Sequence, residues 1–213
     1  MNMHPLGLAV ESFGSASDEA ILQRWGLNGG DLVDRTALGV QLSRLIVDEA
    51  PPPTEPRQLI DWIRVRYHQA HRDALETAIA MANVAETAHA ADEAWPHGLT
   101  DQLLELLDEL EVHQQREDSV IFPQLLKGGA AAAEGETIVE AEHDGLSLRL
   151  EHLARRTGGF TAPAHACATW RLLYLLCRKI EGDLREQMAL ESTALLGRCI
   201  RESTEDSGCS AAM

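Results

Sequence analysis

Residues 103–121 read LLELLDELEVHQQREDSVI, and the fold turns on how that stretch is phased. In steps of three and four its apolar positions are Leu103, Leu106 and Leu110, the spacing of one face of an α-helix. The same steps then land on His113 and Glu117 before reaching Val120 or Ile121. A histidine and a glutamate thus occupy places that the period assigns to a core.

The pattern recurs in other segments. Leu173, Leu176, Ile180 and Leu184 lead to Gln187 and Glu191, then to Ala194 or Leu195. A third stripe is Val139, His143, Leu146 and Leu150, and in a fourth His68 lies between Val65 and Leu75. Four long helices are expected. The first covers residues 56–88, with Pro56 in its opening turn, where a missing N–H does no harm. The second covers about 100–126, with Asp101 in its first turn, Pro123 interrupting its last and Gly128-Gly129 as a stop. The third covers 134–156, ended by Thr157-Gly158-Gly159, and the fourth about 164–201. Joined by short loops, they make an all-α, up-down-up-down four-helix bundle over residues 57–201.

Composition agrees. Of 213 residues only 4% are aromatic, and the long stretches between Pro and Gly are rich in Ala, Leu, Glu and Arg, which favours helices over a β-sandwich. With 34 Asp and Glu against 18 Lys and Arg the formal net charge is −16, which repels phosphate backbones and anionic lipid and attracts cations. No run approaches the roughly 18 apolar residues that span a bilayer, and the opening residues lack the basic start of a secretion signal. Cys167, Cys177, Cys199 and Cys209 form no CxxC pair and read as reduced thiols, so a cytoplasmic protein is expected. Upstream, residues 51–56 (PPPTEP) form a stiff linker. Before it residues 1–50 make a small module with helical stretches around 17–25 and 31–48, and residues 202–213 read as a disordered tail.

An isolated buried carboxylate costs several kcal/mol, so Glu117 and Glu191 need compensation from hydrogen-bonded neutral pairs or from a metal. A single histidine on such a stripe is commonly a core histidine, and a single glutamate a misjudged face. Ligand-type residues on four helices at matched depth, two pairs of them at i,i+4, would require several coincidences. That constellation suits a dinuclear metal centre inside a bundle, and imidazole with carboxylate suits iron, manganese or zinc. No G-x-S-x-G, phosphate loop or dinucleotide fingerprint occurs, so hydrolysis by a serine and nucleotide use are not expected.

The segment Arg66-Tyr67-His68-Gln69-Ala70-His71-Arg72, the pair His113 and Glu117 followed by Ile121-Phe122-Pro123, and Glu140-Ala141-Glu142-His143-Asp144 resemble the motifs of the hemerythrin-like di-iron proteins. Within that class the chain is most similar to the repair-of-iron-centres family, bacterial proteins that restore iron–sulfur clusters after nitrosative or oxidative damage. The similarity runs from about Leu59 to Leu196. It implies two non-haem irons, with His68 and His113 as terminal ligands of one, His143 serving the other, and Glu117 and Glu191 bridging. The family has a further histidine where this chain has Gln187. An amide oxygen is a weaker ligand than imidazole, so the second iron binds loosely, carries water in its place or is missing. Relatives also carry a Cys-Cys pair before a Gly-Gly, where Gly26-Leu27-Asn28-Gly29-Gly30 has the glycines alone, and an LFP-like turn where Ala194-Leu195-Leu196-Gly197 stands.

The resemblance implies iron release to damaged iron–sulfur proteins, or reaction with nitric oxide or oxygen. The alternatives are a hemerythrin-like carrier or sensor of oxygen, nitric oxide or iron, and a partly metallated relative acting as an interaction protein. A homodimer is left open. His71 is a candidate outer partner, and Glu140 a channel or outer carboxylate. Glu86 with His89 repeats the E-x-x-H of Glu140 and His143 but near a helix end, and His89, His97, His152 and His165 read as surface or loop residues.

Overall fold

The computed structural model describes residues 51–127 and 130–196, with side chains for 51–127 and 134–193. The stretches 1–50, 128–129 and 197–213, which hold the expected N-terminal helices, the Gly128-Gly129 stop, the end of the fourth helix and the tail, lie outside the described residues. Among the described residues four long helices form and no strand does.

Helix α1 comprises Pro56–Ile63, a π turn at Arg64–His68, and Gln69–Ala88. Helix α2 comprises Leu99–Arg116, a π turn at Glu117–Ile121, and Phe122–Leu125. Helix α3 is Ala130–Arg156, and α4 is Ala168–Leu190 followed by a π turn at Glu191–Leu196. The Glu55 carboxylate accepts from the Gln58 amide at 2.9 Å and starts α1 just ahead of Pro56. Gly98, at φ +79°, turns the chain into α2. At the end of α3 the Gly159 amide donates to the Ala154 carbonyl at 2.7 Å, with Gly158 and Gly159 both left-handed. Helix α3 begins four residues earlier than expected, in a run of alanines that favours helix. Helix α4 begins four residues later. There Ala166 closes a turn onto the Pro163 carbonyl, and Cys167 is extended, which delays the first helical residue to Ala168.

Contacts at the two ends fix the topology. At one end the His89 ring, just past α1, packs on Trp95 before α2 and on Trp170 in the first turn of α4, while Arg156 at the end of α3 donates to the His97 carbonyl. At the other, Leu59, Ile60 and Ile63 of α1 meet Ile121, Phe122 and Leu125 of α2 and Val139 of α3. Successive helices therefore run antiparallel, the up-down-up-down arrangement.

The core comes in two apolar clusters. The larger fills the Trp95–Trp170 end and the smaller fills the Leu59–Phe122 end. Between them, along every helix, lie buried His68, His71, His113, Gln114, Glu117, His143, Gln187 and Glu191, while buried Asp183 pairs with Lys179 and buried Thr157 donates to the Leu153 carbonyl at the end of α3. The expectation that Val65 shares the inward face with His68 fails, since Val65 is 81% exposed. The π turn places an extra residue in that stretch, and Tyr67 takes the buried place beside His68. Among the described residues no helix is long and apolar enough to cross a membrane.

Candidate metal centre

Three helices open into π turns at the same depth, each at a polar residue of the buried layer. His68 ends the π turn of α1, Glu117 begins that of α2 and Glu191 begins that of α4. A π turn adds one residue per turn and re-phases the helix, a feature concentrated at functional sites. In α2 the Phe122 amide reaches back to the Glu117 carbonyl, so Glu117, Ile121 and Phe122 all face inward, while Val120 is left outside. Pro123 has no N–H to give, and the interruption expected of it takes the form of this π turn immediately before it.

The inward atoms converge. His113, Glu117, His143 and Glu191, all buried, each bring one nitrogen or carboxylate oxygen to within 4.8 Å of the others. The His113 Nε2 lies 3.5 Å from one Glu117 oxygen and the His68 Nε2 3.3 Å from the other. The His143 Nε2 lies 3.1 Å from Glu191 Oε2, and the Gln187 amide N–H donates to Glu191 Oε1 at 2.7 Å. The opposite ring nitrogens face oxygens on the outer side. His113 Nδ1 is 2.9 Å from a Glu142 carboxylate that Arg116 also binds, His143 Nδ1 is 3.5 Å from the Ser192 hydroxyl, and His68 Nδ1 is 3.8 Å from Asp118. All three imidazoles thus turn Nε2 inward and Nδ1 toward an outer oxygen, the arrangement that fixes ring orientation in metal-binding histidines.

Burial sets the protonation. It holds His68 below the ordinary imidazole range and brings His113 down to about 4, so both rings are neutral donors at pH 7. Burial, with Glu191 opposite, pushes the Glu117 carboxyl well above its usual value. The residues fit a cation. The inward atoms His68 Nε2, both Glu117 oxygens, His143 Nε2, Glu191 Oε2 and Gln187 Oε1 are buried and have no hydrogen-bond partner. Polar atoms left this way in a core are costly unless something else satisfies them, and divalent cations held among them would do so.

The hemerythrin HHE cation-binding domain model matches residues 60–199. The iron–sulfur cluster repair protein YtfE of Musicola paradisiaca (strain Ech703) is 36% identical over 167 residues, 75% of each chain. Proteins of the same name from Yersinia pseudotuberculosis serotype IB (strain PB1/+) and Yersinia pestis (strain Pestoides F) are 36% and 35% identical over 176 residues, 79% of each chain. The chain belongs to the hemerythrin HHE family, among its iron–sulfur cluster repair proteins.

Within this hemerythrin-type bundle the structure brings His68, His113, Glu117, His143, Gln187 and Glu191 into one layer, from all four helices. His71 is fully buried in the same layer, and burial takes its imidazole down to about 3. Glu140 is exposed. The carboxylate against the His113 ring is instead Glu142, two residues on, which the sequence reading passed over. A clue was available, since Glu142 directly precedes His143 and lies on the flank of α3 next to α2. Gln114 was also missed. It is buried, with neither amide atom paired, beside His68 in an open cleft of about 490 Å³ between α1 and α2. Glu86 has a different duty from a metal pair, accepting from the Gly98 amide and the Thr100 hydroxyl.

Proposed function

We propose that this protein is a non-haem di-iron protein that helps repair iron–sulfur clusters damaged by nitrosative or oxidative stress. In this reading His68, His113, Glu117, His143 and Glu191 hold iron in the buried layer, and Gln187 stands beside the second position. The reading is carried by one observation: four buried ligand atoms from α2, α3 and α4 within 4.8 Å of one another, with inward atoms that no protein group satisfies. The names of the relatives supply the biological direction. Iron bound there supplies a redox-active centre for nitric oxide or oxygen and an ion that can be released.

The chain's own residues set how firmly each position holds. On the α1/α2 side two neutral imidazoles face the Glu117 carboxylate, and His113 is kept in place by Glu142. On the α3/α4 side His143 is the imidazole that faces Glu191, and Gln187 stands next to the buried His71. The Gln187 N–H occupies one oxygen of Glu191, leaving an amide oxygen where a stronger donor would complete the shell. That asymmetry suits an ion given up to a damaged cluster. The partners implied are iron–sulfur proteins and small gas ligands, met in the cytoplasm by a bundle spanning 57–201. Manganese and zinc fit much of the same nitrogen and oxygen set.

The deciding experiment measures metal per chain after anaerobic purification, with the optical spectrum of the oxidised form, and asks whether the loaded protein restores a damaged iron–sulfur enzyme. About two irons with an oxo-bridge band, and restored activity, support the reading. No tightly held transition metal would overturn it. Gln187→His should raise occupancy of the second position, and an unchanged stoichiometry would count against the ligand assignment. Loaded protein that binds nitric oxide or oxygen but restores no enzyme would favour a carrier or sensor instead.

A further inference from the structure

At the end of the bundle remote from the buried layer, an exposed cysteine stands against a histidine that an aspartate backs. Cys167 immediately precedes α4, and its side chain caps nothing in that helix. Its sulfur lies 3.1 Å from the Nε2 of His89. The other nitrogen of the same ring, Nδ1, lies 3.7 Å from Asp92 Oδ2. The Asp92 carboxylate is anchored through its other oxygen, which accepts from the Ala94 amide at 3.0 Å, and the His165 Nε2 meets Oδ2 at 3.0 Å. The His89 ring is also held sterically. It stacks on Trp95, with centroids 5.9 Å apart and planes 19° apart, and meets the Trp170 ring at 5.0 Å. Both indoles are almost wholly buried, so the imidazole is pinned to a rigid wall.

A thiol in hydrogen-bond contact with a histidine, with a carboxylate close behind the ring, is an arrangement by which proteins activate a thiol. Nothing in the buried layer uses it. Residue 89 follows residue 68 by 21 positions, about 30 Å of helix, so its chemistry is separate from the metal reading. Cys177, ten residues further along α4, is fully buried, and burial pushes its thiol up to about 12. The contrast between the two cysteines is one of placement: one is open to solvent beside a base, the other closed in the core.

We propose that Cys167 is a thiol-exchange site that takes up small disulfides of the glutathione type as a reversible mixed disulfide, with His89 as its base and Asp92 positioning that base. The Cys167 proton passes to His89 Nε2 as the sulfur attacks one sulfur of the small disulfide. A new S–S bond forms, the old one breaks, and the departing thiolate takes the proton from His89. No electrons are gained or lost overall. A reducing thiol reverses the step by the same exchange.

The test treats the reduced full-length protein with glutathione disulfide and locates and times the adduct by peptide mass spectrometry. Cys167 should be modified first, and about tenfold faster than the same residue in the urea-unfolded chain. His89→Gln should remove most of that advantage with the helical circular dichroism unchanged. Asp92→Asn, a milder change in a loop, should reduce it about threefold and keeps the test open if the first variant folds poorly. Dithiothreitol should return the unmodified chain. Equal rates in folded and unfolded protein, an adduct forming first at Cys199 or Cys209, or a rate indifferent to both variants would overturn the proposal.

Discussion

From Leu99 to Leu110, α2 is a regular helix that buries Leu99, Leu103, Leu106 and Leu110. Seven residues later the same helix carries Glu117 with no exposed surface and opens into a π turn. The division holds for the molecule. Around Trp95 and Trp170 the interior is leucine, alanine and indole, and the helices are unbroken. In the polar layer three of four helices change pitch, and the interior holds imidazoles and carboxylates. The first region lowers the free energy of the fold by removing apolar surface from water. The second raises it, because ionisable groups are desolvated with few protein partners. One end is built to hold the chain together, and the middle is built to be completed by a cation.

Separate substitutions in the two regions should therefore pull stability and metal content apart. Leu106→Ala leaves a cavity in the apolar end and should lower the unfolding free energy by about 2–5 kcal/mol, with iron per chain unchanged. Urea titration beside elemental analysis measures both. A loss of iron equal to the loss of stability would mean that the two regions are one cooperative unit and that the contrast is only compositional.

Glu117→Leu should do the reverse. Iron per chain falls toward background, while the metal-free protein keeps or gains stability, because a buried carboxyl gives way to a side chain that suits its surroundings. A marked drop in the melting temperature of the metal-free variant would show that Glu117 supports the fold by itself.

Acid titration probes the same contrast with a smaller effect. In the metal-free fold burial puts His71 at about 3 and His113 at about 4, against an ordinary 6.5. Both are depressed, so their contribution is fully present above pH 6.5 and is lost as the pH falls toward those values. Glu117 is shifted the other way, so its contribution is present below 4.5 and is lost as the pH rises through its folded value. Urea midpoints in the presence of chelator should fall below pH 6.5, and His71→Leu should flatten that limb by about 1.4 kcal/mol per pH unit. An unchanged slope would mean that His71 carries its proton in the folded chain.

The regular end was the more legible of the two. Leucines at three- and four-residue steps report a helix face whatever packs on it, and Leu103, Leu106, Leu110, Leu173, Leu176, Ile180 and Leu184 are all buried as that period requires. Extending the same period into His113, Glu117, His143, Gln187 and Glu191 found most of the polar layer, since a residue keeps its phase within one helix. The π turns were not legible. A single extra residue per turn leaves no compositional mark, so the period counts Val65 on the inward face although it is exposed, and does not choose between Val120 and Ile121. Nor could periodicity along one helix show which neighbours meet across two. Glu142 against His113, and Cys167 against His89, are contacts between segments 29 and 78 residues apart in the chain.

The smallest expected effect compares two glutamates. Glu117 is desolvated among carboxylate and imidazole, whereas Glu86, at the regular end, accepts from the Gly98 amide at 2.6 Å and the Thr100 hydroxyl at 2.7 Å at the start of α2. Those donors, the Gly98 amide foremost, hold the Glu86 carboxyl below its ordinary 4.5, so its contribution is present above that pH and is lost as the pH falls. The negative charge also faces the positive end of the α2 dipole. Glu86→Ala should cost about 1 kcal/mol, the usual worth of a helix cap, and leave iron content untouched although it breaks the E-x-x-H of residues 86–89. Loss of iron in this variant would make Glu86 a ligand after all. A stability loss confined to pH values above 4.5 would show the same side chain, charged and hydrogen-bonded at one end of the bundle, acting in the opposite sense to the one buried in its middle.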